Sequence, residues 1–181
     1  MLSLHNSREE DSGSQAASDD HTLCVLLSHE AYQGAESAGT IRLLGHMQGH
    51  DLLMLIDSGS SSSFISVAAA DRLQGVMPLK SHTAVKIANG GTLQSDSWIP
   101  GCEWNTQGHT FHTDLRVLEL GCYDVILGMD WLSEHSPMDI HWGQKRMSFL
   151  HQGGNITLVG VSPNTSICLE LSPQQLKAMQ N

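Results

Sequence analysis

Leu52-Leu53-Met54-Leu55-Ile56-Asp57-Ser58-Gly59-Ser60 is the stretch that decides the reading of this chain. Five apolar residues stop abruptly at a carboxylate. A run that short, bounded by turn residues, reads as a buried strand rather than a helix. Asp57 then stands where a core strand ends and a Ser/Gly turn begins. Two readings are open on these residues alone. Asp57 either caps the turn through its own side chain or is held there for chemistry, because burying an ionised carboxylate is costly. Asp11-Ser12-Gly13-Ser14 repeats the tetrapeptide without an apolar run before it and reads as a solvated turn. The strand, not the tetrapeptide, therefore carries the signal.

Working outward, Ile41, Leu43, Gly45 and Met47 alternate with Arg42, Leu44 and His46, and Gln48-Gly49 follows. This predicts a hairpin with strands at 40–47 and 51–57. Beyond Asp57, Phe64-Ile65-Ser66 leads into Val67 to Leu73, whose composition favours a short helix. Val85-Lys86-Ile87 and Thr92-Leu93-Gln94 flank Asn89-Gly90-Gly91, a strong hairpin signal. That hairpin has few large side chains, so it is expected to pack weakly and to move. Trp98 to Trp104 and Thr110 to Leu118 predict another strand pair turning at Thr106-Gln107-Gly108. Val125-Ile126-Leu127 reads as a short buried strand stopped at Gly128, with a brief helix over 129–135. Ile140 to Phe149 predicts one more strand, anchored by Trp142 and Met147, and a last strand starts near Gly153.

On the N-terminal side, Leu23 to Leu27 is a candidate edge strand and 29–38 a loop. Residues 1 to about 20 are polar and acidic, and their composition predicts disorder. Ser172 to Gln180 reads as a loose helix or tail. The expected organisation is a tail at 1–27, one domain at 28–160 and a C-terminal tail at 161–181. Seven or eight short strands with one or two short helices make an all-β domain, a small closed barrel or a sandwich.

Composition narrows the function. The 181 residues carry a net charge of −10, which disfavours a nucleic-acid surface. No apolar stretch approaches the roughly 20 residues needed to cross a bilayer, and no secretory leader opens the chain. Cys24, Cys102, Cys122 and Cys168 have no zinc spacing and read as free thiols. His46 and His50 are four apart, as are His135 and Asp139, but neither pair comes with an HExxH pattern or a second cluster, so neither a metal nor a cofactor is expected. Ser60 to Ser63 lack the Gly-x-Ser-x-Gly elbow of a serine nucleophile.

Two segments together carry a family resemblance. Leu55-Ile56-Asp57-Ser58-Gly59-Ser60 with Phe64-Ile65-Ser66 resembles the active-site strand and loop of retropepsin-like aspartic proteases. Val125-Ile126-Leu127-Gly128-Met129-Asp130-Trp131-Leu132 is similar to that family's second signature. The Met-Asp-Trp-Leu version resembles proteases of gypsy-class retrotransposons, plant ones especially. Val85 to Gly90 falls where the family places its flap. The resemblance spans roughly residues 28–160.

The resemblance implies a closed barrel of the retropepsin type and an aspartic endopeptidase that processes a polyprotein. Asp57, Ser58 and Gly59 match the catalytic motif. Ile87, Ala88, Asn89, Gly90 and Gly91 match the substrate-covering flap. Ile126, Leu127 and Gly128 match the support beneath the active-site loop. Peptide hydrolysis by this route needs two carboxyl groups sharing a proton. The chain has one well-framed Asp, and Asp124 and Asp130 read better as a strand-edge residue and a helix-start charge. A symmetric homodimer supplies the second. The expected partners are a second copy and an extended peptide or polyprotein, with neither nucleic acid nor membrane. The expected setting is intracellular, in the cytoplasm or in retrotransposon particles. The rival reading is a catalytically silent, protease-like dimeric interaction module.

Overall fold

The structure, a computed structural model, describes residues 25–33 and 40–161. The expectations for residues 1–20 and 172–180 lie outside these. The strands are β1 Val25–Leu27, β2 Ile41–Met47, β3 His50–Ile56, β4 Phe64–Ser66, β5 Met77–Ile87, β6 Thr92–Thr106, β7 His109–Leu118, β8 Val125–Leu127, β9 Met138–His141, β10 Arg146–His151 and β11 Gly154–Val159. Three short helices interrupt them: α1 His29–Gln33, α2 Val67–Ala70 and α3 Met129–Glu134.

The hairpin registers follow from local chemistry. Gln48 and Gly49 both have positive φ, at 46° and 86°, and so do Gln107 and Gly108, at 49° and 85°. Two successive positive-φ residues make the tight turn whose twist matches the flanking strands. The first turn pairs Met47 with His50 and, at the far end, Ile41 with Ile56. The second pairs Thr106 with His109.

Closure is non-local. β3 runs parallel to β8, with Ile56 opposite Leu127, while β8 is antiparallel to β4. β4 is parallel to β7, β7 returns to β6, and β6 meets β2 at Asn105 and His46. The ring β6-β2-β3-β8-β4-β7 is thus a closed six-stranded barrel, the all-β class the sequence predicts. Closure leaves no unpaired edge within the ring. β5 and β1 continue the sheet outward from β6. A second sheet, β11-β10-β9, adds Met147, Phe149 and Leu158 to the barrel core. That core centres on aromatic rings: Trp104 stacks on Phe111 with centroids 4.6 Å apart, and Trp131 lies 5.7 Å from Phe111. The buried Trp104 indole N–H donates to Thr113 Oγ1 at 3.0 Å.

Four local expectations need correction. Residues 29–33 form a helix, not a loop, because the Ser28 hydroxyl accepts from the Ala31 N–H and the Ser28 carbonyl from the Tyr32 N–H. Residues 140–149 do not form one strand. Trp142–Gln144 is a 3₁₀ turn and Lys145 takes φ 55°, so β9 and β10 fold back on each other. Trp142 is consequently 43% exposed and anchors nothing, whereas Met147 is buried. The 85–95 hairpin is no light, loosely packed ribbon either. Its strands continue far beyond the turn, and Val85 and Ile87 are buried.

Candidate active site

β3 delivers Asp57 to the end of the barrel, where its N–H donates to the Leu127 carbonyl at 3.0 Å. The parallel β3–β8 pairing therefore places the two quoted signatures side by side. Asp57 remains partly exposed while the five residues before it are mostly buried. Its carboxylate is oriented from within the loop. The Gly59 N–H donates to Oδ1 at 3.0 Å and the buried Ser60 hydroxyl donates to Oδ2 at 2.5 Å. This is the Asx-type turn that the bland reading of the sequence foresaw, and it coexists with an accessible carboxylate. Ser58 and Gly59 are exposed beside it.

The loop rests on Gly128, which caps the end of β8 before α3. A Cβ there would collide with the carbonyls of Ser62 and Ser60, both of them backbone. Its φ of −96° is ordinary, so space alone demands the glycine. Ile126 and Leu127 are fully buried in β8. The Met129 N–H donates to the Ser60 carbonyl at 2.8 Å, joining the helix start to the loop.

A second set of bonds fixes the far end of the loop, and the sequence reading missed it. The buried Ser63 hydroxyl donates to Asp130 Oδ1 at 2.6 Å, and the Ser63 N–H donates to Oδ2 at 2.8 Å. The Gly128 N–H in turn donates to Ser63 Oγ at 3.0 Å. Asp130 does stand in the first turn of α3, but it also clamps the loop. Asp124 is a strand-edge residue whose Oδ2 accepts from the Leu53 N–H at 2.8 Å. Serine and aspartate are common enough that only their placement in space distinguishes these pairs. Ser63→Ala would leave the Gly128 N–H without its acceptor and Asp130 Oδ1 with only the Trp131 N–H as donor, so the expected loss is about 1–3 kcal/mol. Urea unfolding of that variant beside Ser133→Ala, on the exposed face of α3, measures it.

The 85–95 hairpin ends in a turn closed by Gly90 N–H to the Ile87 carbonyl at 2.9 Å and Ile87 N–H to the Gly91 carbonyl at 2.8 Å. Only Gly90 takes positive φ, at 93°. The turn is therefore a loop with a glycine bulge, between strands that end at Ile87 and resume at Thr92 as the sequence predicts. Asn89 contributes its side chain instead, accepting from the Gly91 N–H at 2.9 Å. Ala88, Asn89, Gly90 and Gly91 are exposed, and Ile87 points into the apolar cluster.

Among the described residues no group of three or more His, Cys, Asp or Glu side chains stands together as a metal site would require. Cys102 is a free thiol, and burial, with Glu103 beside it, pushes it up to about 11. No helix among the described residues is long and apolar enough to cross a membrane.

A six-stranded closed barrel with an Asp-Ser-Gly loop seated on a buried apolar-Gly strand is the fold of a retropepsin-like protease domain. The retroviral protease-like domain of Ddi1 from Leishmania major shares that fold: TM-score 0.53, 17% identity, covering 70% of this chain and 97% of that one. The EIAV protease, solved with the inhibitor HBY-793, is 22% identical, with a TM-score of 0.42 over 55% of this chain and 88% of that one. A retropepsin-like aspartic protease from Rickettsia conorii is 14% identical, with a TM-score of 0.40 over 57% and 77%. The chain belongs to the PEG10/RTL1 protease domain family, a retrotransposon-derived group whose family model matches residues 53–154, more than half of the chain. No curated protein matches it significantly.

Proposed function

We propose that this chain is an aspartic endopeptidase working as a homodimer, with Asp57 of each protomer forming the catalytic pair. The observation that carries the reading is the Asp57 carboxylate. It stands partly exposed at the end of a buried barrel strand and is held by the Gly59 N–H and the Ser60 hydroxyl. Asp124 and Asp130 are engaged by backbone and Ser63 donors, so neither serves as the second acid. A twin Asp57 across a two-fold axis does. The two carboxylates share one proton; one takes a proton from water while the other protonates the peptide carbonyl oxygen.

Ser58 and Gly59 complete the loop, with Ser58 Oγ reaching the partner's backbone. Gly128 with Ile126 and Leu127 supports it from below. Ile87 to Gly91 closes over an extended peptide and excludes water. The working unit is the domain at 28–160, and its natural substrate is a polyprotein of the gypsy-type element, of the plant kind, from which it derives, processed in the cytoplasm. The silent-module reading keeps one specific support: Ser28 of the chain itself stands against Gly59, and its N–H donates to the Ser60 Oγ that also holds Asp57.

A pair drawn from two chains cannot survive dissociation. Specific activity on an unstructured protein is expected to fall on dilution below the dimer dissociation constant, with the rate tending to the square of concentration. Activity over several decades of concentration, beside sedimentation of the same samples, tests this. A sedimenting monomer of constant specific activity would refute the homodimer, and a stable dimer inert at every pH would favour the silent module.

A further inference from the structure

β1 is bonded along both of its edges. On one side it runs parallel to the hairpin strand, with Val25, Leu26 and Leu27 opposite Val85, Lys86 and Ile87, and the Ala88 N–H donates to the Leu27 carbonyl at 3.1 Å. On the other side it meets the loop that begins at Asp57. The Leu26 N–H donates to Ser61 Oγ at 2.8 Å, the Ser61 N–H donates to the Leu26 carbonyl at 3.0 Å, and the Ser28 N–H donates to Ser60 Oγ at 3.2 Å. Ser60 is the residue that also holds Asp57. An extended segment thus lies between hairpin and loop, its own backbone bonded to the backbone of the hairpin and to the Ser61 N–H and the Ser60 and Ser61 hydroxyls of the loop.

Its side chains alternate. Val25 and Leu27 are buried in one cluster with Leu55, Phe64, Val85, Ile87 and Ile126, while Leu26 is 47% exposed. Ser28 then stands over Gly59 so closely that a Cβ at Gly59 would lie 2.9 Å from its own Cβ. Nothing in the local sequence needs Gly59 to be small toward this side. The approach of Ser28 does.

We infer that Val25–Ser28 is a built-in ligand of the peptide groove, occupying in cis the place an incoming peptide takes and holding the groove closed. The inference rests on the reading of this groove as peptide-binding. Strand addition of this kind takes affinity from main-chain bonds and specificity from alternate side chains. The groove therefore takes an extended segment with apolar residues at alternate positions and a small residue beside Asp57. The segment is a plug rather than a substrate, because the chain leaves the extended form at Ser28 and enters α1. Ala31 in α1 packs into the same cluster, and the Tyr32 carbonyl would lie 3.3 Å from a Cβ at Gly121. Tethering gives such a segment an effective concentration on the order of millimolar, so a free peptide competes poorly until the plug is weakened.

The test uses the full chain carrying Leu27→Asp, with Leu26→Asp as the exposed-side control. The probe is a fluorescent peptide of the sequence Val25–Ala31. The Leu27→Asp chain is expected to bind it about tenfold or more tighter than wild type, a difference that titration resolves readily. The Ser61 and Ala88 amides, whose acceptors lie on the plug, are expected to exchange hydrogen at least about tenfold faster in Leu27→Asp and to change little in Leu26→Asp. If Leu27→Asp loses its cooperative thermal transition, Leu27→Ala replaces it in both measurements. Equal peptide binding by folded variant and wild type, or unchanged exchange at both amides, overturns the inference. Cleavage separates the two proposals. A variant that opens and binds peptide yet cuts nothing keeps the plug and removes the endopeptidase. A variant that cuts no faster than an active wild type, with unchanged binding, removes the plug and keeps the endopeptidase.

Discussion

Asp57→Asn is expected to lower peptide cleavage by at least about 10³-fold while leaving the fold intact, since the substitution removes a group that acts in proton transfer and in charge stabilisation together. The carboxamide has nearly the shape of the carboxylate. One of its ends still accepts from the Gly59 N–H, and the Ser60 hydroxyl can rotate to accept from the new amine at the other. The variant loses the ionisable group and hardly any packing. Steady-state cleavage beside a thermal unfolding curve checks both halves of the expectation. Asp11→Asn, in the same tetrapeptide without the strand, should change neither. Undiminished turnover by Asp57→Asn would remove this residue from the chemistry, whereas loss of the thermal transition would show it to be structural.

Gly128→Ala carries the largest expected loss of stability. The added methyl meets the carbonyls of Ser62 and Ser60. These belong to the backbone of a loop already fixed by Ser63, Asp130 and Met129. Neither side can give without breaking bonds, so the cost is roughly 3 kcal/mol, at the upper end for overpacking. In a chain of this size that corresponds to a fall in Tm of about 6–12 °C. Activity should fall as well, because the displaced Ser60 is the residue that orients Asp57. Gly143→Ala, where a Cβ would meet only the His141 ring at 3.6 Å, is the matching control and should cost little. Calorimetry of the two variants decides. Equal transitions would mean that the loop yields more easily than its bonds suggest.

Local chemistry by itself determined a good deal of this protein. Gln48-Gly49 and Gln107-Gly108 set two hairpins in register because a two-residue turn leaves no freedom in pairing. The run Leu52 to Ile56 ends at Asp57 because the next residues favour a turn over a strand. Val125 to Leu127 with Gly128 announced a second buried strand, since three consecutive apolar residues stop there at a glycine. These features depend on neighbours in the chain, which a sequence displays directly.

Tertiary structure alone decided the rest. The parallel pairing of β3 with β8 joins residues about 70 positions apart, and the contact of β2 with β6 at His46 and Asn105 helps complete the ring. Such pairings are chosen by burial and closure, which no local pattern encodes. The hairpin over 85–95 looked light because its own side chains are small. Its partner β1, far back in the chain, buries Val85 and Ile87. Trp142 looked like an anchor, but the 3₁₀ turn and Lys145 aim it outward. Asp130 looked like a helix-start charge, and in the sequence nothing marks Ser63 as its partner. A hydrogen bond between two common polar residues 67 positions apart leaves no trace in either segment. It exists only because barrel closure brings the end of β8 beneath the loop that holds Asp57.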